Sequence, residues 1–209
     1  MYINARTKHI LNMSQAGQNL LLSSVTSFFD KRNEYKRCLY DIVNGKSVLS
    51  LRVIDWFVTH YTKELNIIYW VDDKNKLLVE NFPPTNGNNL RKVHLYLDYR
   101  AQLKSYTKLN FDPFRRHNRI SFLIDTHKQT LLETTVGQLN FFRWCFHNHI
   151  LDYICNHLPE IEAHMARSIQ EGKTEAPAAS VPAAKKPKQT RNVPSKADII
   201  RAPCCLHFT

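Results

Sequence analysis

The chain has five glycines in 209 residues, and that scarcity excludes a good deal. Neither GxxxxGK[ST] nor GxGxxG occurs, so no phosphate-cradling loop of the nucleotide-binding kinds can be built. No stretch of about eighteen apolar residues exists to span a membrane, and MYINARTKHILNMSQ lacks the apolar centre of a secretory leader. Five cysteines (Cys38, Cys145, Cys155, Cys204, Cys205) make an odd number without framework spacing, which points to free thiols in a reducing compartment. Cys204-Cys205 sits at the wrong distance from the end for prenylation. Paired acidic motifs for metal-assisted phosphoryl transfer are missing as well, since Asp72-Asp73 falls in a turn signal. No enzyme signature survives, and the expectation is a protein that binds and does not catalyse.

What is present is an ordinary core and two basic segments. Apolar content is 43% and aromatic content 11%, enough for one filled domain. The formal charge is +11, and all of it is local. Residues 91–119 hold Arg91, Lys92, Arg100, Lys104, Lys108, Arg115, Arg116 and Arg119 against Asp98 and Asp112, a net +6. Residues 172–209 hold seven Lys/Arg against Glu175 and Asp198, a net +5. Charge concentrated this way suggests an anionic partner met at defined places.

Periodicity supplies the architecture: an α+β fold with a helical N-terminal third. After a polar arm over 1–15, apolar residues recur at helical spacing over Gln18–Phe29 and again over Arg32–Val43, which closes at Asn44-Gly45. A third helix follows, with Ser47 or Ser50 as its cap. IIYWV (Ile67–Val71) and KLLVE (Lys76–Glu80) flank turn residues and read as a β-hairpin. Asn81–Asn89 is a loop. Lys92–Leu97 alternates as a strand, and Asp98 is placed to cap a short helix through Tyr106. ISFLID (Ile120–Asp125) and TLLET (Thr130–Thr134) form a second hairpin.

The longest helical pattern is Thr134–Leu158. A capping box at Thr135/Gln138 opens it, and Pro159 closes it. It is apolar almost all round, which predicts a long buried central helix, with the hairpins and the strand packed on it. A weaker helix runs on to about Gln170, completing a single domain over 16–171. Residues 172–203 form an Ala/Pro/Lys-rich basic linker of disordered composition, and 204–209 a short apolar segment able to dock on a neighbour.

Two constellations in the central helix invite chemistry. Cys145, His147, His149, Cys155, His157 and His164 lie within twenty residues, but a zinc site needs four ligands at one point, and a helical wheel scatters these; no metal or other cofactor is expected. Cys145, His149 and Asp152 fall at i, i+4 and i+7, on one polar strip with Asn156, where an imidazole could lower a thiol pKa. With no oxyanion turn beside it, the strip reads as a solvated or closed-off face.

The basic segment 91–119 is the stronger lead. Its cations alternate with aromatics, offering both phosphate neutralisation and base stacking. In FDPFRR, Asp112-Pro113 sets a turn between Phe111 and Phe114, and Arg115, Arg116 and Arg119 then project together. The tail adds Lys185, Lys186, Lys188 and Arg191 in AAKKPKQTR, which has the form of a nuclear-import signal. These residues are the candidate nucleic-acid or partner contacts.

SLRVIDWFVTHYTK (Ser50–Lys63), QLKSYTKLNFDPFRRHNRI (Gln102–Ile120) and ETTVGQLNFFRWCFHNHILDYI (Glu133–Ile154) together resemble a family of large nucleocytoplasmic DNA viruses of the mimivirus, phycodnavirus and marseillevirus kind. The resemblance covers most of residues 45–165 and carries no catalytic signature. It implies a viral protein acting in the infected cell, at the virus factory in cytoplasm or nucleus, or in the particle. The expected function is that of a minor structural or core-associated virion protein using its basic surface and tail on an anionic or protein partner. The alternative is a DNA-binding or transcription-associated factor.

Overall fold

In a computed structural model, residues 5–72, 74, 77–80 and 90–174 are described, with backbone alone for 5–15, 77 and 172–174. Helices α1 (Ala5–Asp30) and α2 (Asn33–Val43) come first, so α1 reaches back into the stretch predicted as a polar arm. Helix α3 (Leu51–Trp56) starts at Ser50, whose hydroxyl accepts from the Val53 N–H at 3.2 Å. It runs on through a π-helical turn at Phe57–Tyr61 into α4 (Thr62–Glu64).

The first hairpin forms as its alternation requires: β1 (Ile68–Asp72) against β2 (Leu77–Val79). Strand β3 (Leu90–His94) adds to the other side of β1, giving the antiparallel order β2-β1-β3. Helix α5 (Leu95–Asn110) begins three residues before Asp98, so Asp98 is not its cap. Its carboxylate instead accepts from the Trp144 indole N–H at 2.6 Å and from the Asn148 amide at 3.3 Å. The second hairpin, β4 (Arg119–Asp125) and β5 (Thr130–Thr135), is a separate two-stranded sheet. It is held by Phe122, whose ring meets Phe29 edge-on at 5.8 Å while the Lys36 ammonium lies 5.5 Å from its centroid.

The central helical run is buried as expected, and it is not one helix. α6 (Val136–His147) and α7 (Ile150–Asn156) are separated at Asn148-His149, where His149 takes φ 54° and ψ 32°. Neither residue is a breaker by type, so the cause is tertiary. Ending α6 at His147 frees carbonyls that need donors. The Tyr69 hydroxyl donates to the Asn148 carbonyl at 2.6 Å, and Arg91 donates to the His147 carbonyl at 3.2 Å and to Asn148 Oδ1 at 2.8 Å. Burial pushes the Tyr69 hydroxyl far above its ordinary pKa, which keeps it a proton donor. Pro159 then stands in the first turn of α8 (Leu158–Thr174), where a missing N–H costs nothing.

At the front of α6, Thr135 caps as predicted, its hydroxyl accepting from the Gln138 N–H at 3.1 Å. The Gln138 side chain does not close the box. It accepts from the Thr134 hydroxyl at 2.8 Å and donates to the Pro113 carbonyl at 2.6 Å. α6 buries Leu139, Phe141, Phe142, Trp144, Cys145 and Phe146 on all sides, and the rest of the core gathers round it. Of the linker expected over 172–203, the first residues continue α8 to Thr174, and residues 175–209, with Lys185, Lys186, Lys188 and Arg191, lie outside the described residues.

Candidate anion-binding groove

The loop joining α5 to β4 is built by its own sequence. Phe111 is its anchor: 2% exposed, it sits among Tyr99, Tyr106, Phe141 and Trp144 with ring centroids 5.3–6.4 Å away. It is therefore a core residue and not the stacking platform the sequence suggested. The Asp112 carboxylate then accepts from the Phe114 N–H at 2.8 Å, the local turn that Asp before Pro favours. Pro113 is buried, with its carbonyl held by Gln138.

The loop also lies hard against the start of α6. The Asp112 N–H donates to the Gly137 carbonyl at 3.3 Å, and the Asn140 amide donates to the Asn110 carbonyl at 2.8 Å. A Cβ on Gly137 would stand 2.9 Å from the Leu109 carbonyl oxygen, so only glycine permits this approach. With one end pinned so closely, Phe114 is left 41% exposed and the chain turns into Arg115, Arg116 and Arg119.

Phe114 and the three arginines line a groove of about 580 Å³. Its remaining lining comes from Tyr40, Val43 and Asn44 at the end of α2, Leu51 at the start of α3, Pro113, Gln138 and Leu131–Thr135 of β5. Glu133 is the one acidic residue in it, and its carboxylate accepts from the Ser121 hydroxyl at 2.5 Å. Among the described residues none of the three arginines makes an ion pair or a side-chain hydrogen bond. Three guanidiniums that the described residues leave unpaired around one concavity can hold a carboxylate or a phosphate, both of which match their planar forks.

The other predicted contacts separate. Arg91 is taken up by the end of α6, as above, and is a helix-terminating residue of the fold. Lys92 on β3 and Arg100, Lys104 and Lys108 on α5 are exposed. Arg100 and Lys104 share a face with Ala101 and Leu103 over a smaller depression of about 360 Å³. Thr107, with φ 57° and ψ 168°, breaks the helix before Lys108, so the i, i+4, i+8 stripe is interrupted. Burial, and after it the charge of Asp112, push the Asp55 carboxyl above its ordinary pKa, with His60 and Lys108 opposing the shift.

The Cys–His–Asp strip does not assemble. His149 stands in the left-handed region at the start of α7, and its Nδ1 lies 2.7 Å from Asp152 Oδ2. Cys145 is fully buried, and burial pushes its thiol well above the ordinary range. The remaining histidines diverge: His157 engages Glu80 and Glu160, and His164 engages Glu64 and Trp56. Among the described residues no group of three His, Cys, Asp or Glu side chains could hold a metal ion. None of their helices is long and apolar enough to cross a membrane.

The arginine loop is visible in the sequence, and its setting is not. Gln138 was visible as half of a capping box, but its bond to Pro113 spans 25 residues. Nothing local signals that Tyr40 and Asn44 would face the arginines.

The arrangement is that of a small α+β protein with an arginine-lined groove. Comparison with known proteins gives it a family: the profile of a family of unknown function (DUF7197) matches residues 4–204, and the chain belongs to that family. It is 31% identical over 156 residues to the uncharacterized protein L507 of Acanthamoeba polyphaga mimivirus, a match covering 73% of this chain and 55% of the relative. The chain is thus a giant-virus protein, of the kind its three segments resembled, and spans about half the length of the relative it matches. No solved structure matches it.

Proposed function

We propose that this is a non-enzymatic binding protein of a giant virus that engages an anionic partner through the groove beneath the Arg115–Arg119 loop. The observation that carries the reading is three arginines without carboxylate partners among the described residues, disposed around one concavity beside an exposed phenylalanine. The proposed place of work is the infected cell and the particle, where a minor core-associated protein would use the groove to hold a neighbour. Abundance in purified particles supports that placement, and absence from them removes it.

Phe114 favours a second reading, a DNA-binding or transcription-associated factor. An exposed ring next to guanidiniums suits a single strand, with bases stacked and phosphates paired.

Affinity for a polyanion tests the common claim. A labelled single-stranded oligonucleotide or polyglutamate should bind with an affinity that falls steeply with salt, and Arg115→Ala with Arg116→Ala should weaken it at least tenfold. For the oligonucleotide, losing two phosphate contacts lowers the log–log salt slope by about 1.4. Unchanged affinity and slope would remove the groove from the account.

A further inference from the structure

We propose that the groove takes an extended acidic segment of a partner protein, which adds to the free edge of β5 as a third strand. This rests on reading the groove as an anion site, and it names the class of occupant. The first observation is the lining. Side chains of a strand alternate between two faces, so a cavity against one face meets every second residue. Here Leu131 to Thr135 line the groove without a gap, which places the groove along the edge of the strand.

That edge is open. β5 pairs with β4 and the sheet has two strands. Among the described residues, no backbone hydrogen bond joins Leu131–Thr135 to any strand but β4. In an antiparallel pair every second residue turns its N–H and C=O away from its neighbour; Leu131 and Glu133 are the exposed positions of β5 that line the groove, beside buried Leu132 and Thr134. Natural edges are blunted with lysine, proline or a covering element. TLLET has no lysine or proline, and its one charge is tied across the hairpin to Ser121.

Complementarity chooses the occupant. A peptide offers the ladder of donors and acceptors that an open edge needs, and recognition by strand addition draws affinity from it. A nucleic acid has no such ladder. Three arginines against one glutamate require acidic side chains on the added strand. Five edge residues span about 17 Å, room for four or five residues of extended peptide. Tyr40 and Val43 give alternate apolar side chains a surface to rest on.

The probe is a labelled, end-blocked octapeptide alternating valine and aspartate, titrated against the full chain by fluorescence anisotropy. Two analogues carry N-methyl groups on one or the other alternate set of amides. The parent should bind, one analogue should bind at least tenfold more weakly, and the other should match the parent, because one set of amides faces β5. Arg115→Ala with Arg116→Ala should weaken the parent at least tenfold. Equal binding by parent and both analogues would show charge pairing alone and overturn strand addition. Binding of a single-stranded oligonucleotide without the peptide would overturn the acidic segment and leave the anion groove standing. Binding of neither would overturn both.

Discussion

Gln138 shows how one side chain connects scaffold and site. It accepts from Thr134 and donates to the Pro113 carbonyl, both buried, so it fastens the arginine loop to the first turn of α6. Gln138→Leu keeps the volume and leaves a buried carbonyl without a donor, a loss of about 1–3 kcal/mol. A lower urea midpoint with weaker polyanion binding is expected. Full stability with full affinity would show that the loop holds itself. His157 belongs to the same scale. Burial pulls its pKa down, but the hydrogen bond and charge of Glu80, then those of Glu160, outweigh it, and the net pKa lies above 6.5. A folded pKa above the unfolded one gives stability fully present below the unfolded value, lost as pH rises through the folded one. The stability difference between wild type and His157→Gln should therefore be largest below about pH 6.5 and fade on the alkaline side. A difference that grows with pH would contradict the assignment.

At the scale of elements, the two hairpins and the Thr135 cap were legible because their signals are local: alternation, turn residues, a hydroxyl three residues before a free N–H. The break between α6 and α7 was not. Asn148 and His149 continue the helical pattern, and what stops the helix lies 57 residues away at Arg91 and 79 residues away at Tyr69. FDPF likewise fixes a turn between two rings without saying that Phe111 goes inside and Phe114 stays out. The break has a backbone test. His149 occupies the left-handed region, which asparagine tolerates and a β-branched residue resists. His149→Asn and His149→Val both lose the contact with Asp152, so their difference isolates the backbone. Val should be less stable than Asn by roughly 1–2 kcal/mol in chemical denaturation. Equal stabilities would mean that a straight helix through 149 is accessible.

For the whole molecule, charge alone could not locate the site. The segment 91–119 read as one basic surface, and folding divides it in three: Arg91 spent on the end of α6, the Arg100–Lys104 face of α5, and the arginine groove. The groove is composed from α2, α3, the loop, β5 and the first turn of α6, which meet only in the folded chain, so its concavity and the strand edge along it had no sequence signature. The central claim is that the groove, and not basic charge in general, binds the partner. Two triple variants separate these: Arg115→Ala/Arg116→Ala/Arg119→Ala in the groove, and Arg100→Ala/Lys104→Ala/Lys108→Ala on α5. Each removes three positive charges, so any effect of net charge is the same in both. Polyglutamate affinity at fixed ionic strength should fall at least tenfold in the groove variant and less than threefold in the α5 variant. Equal losses, or a larger loss on α5, would contradict the account.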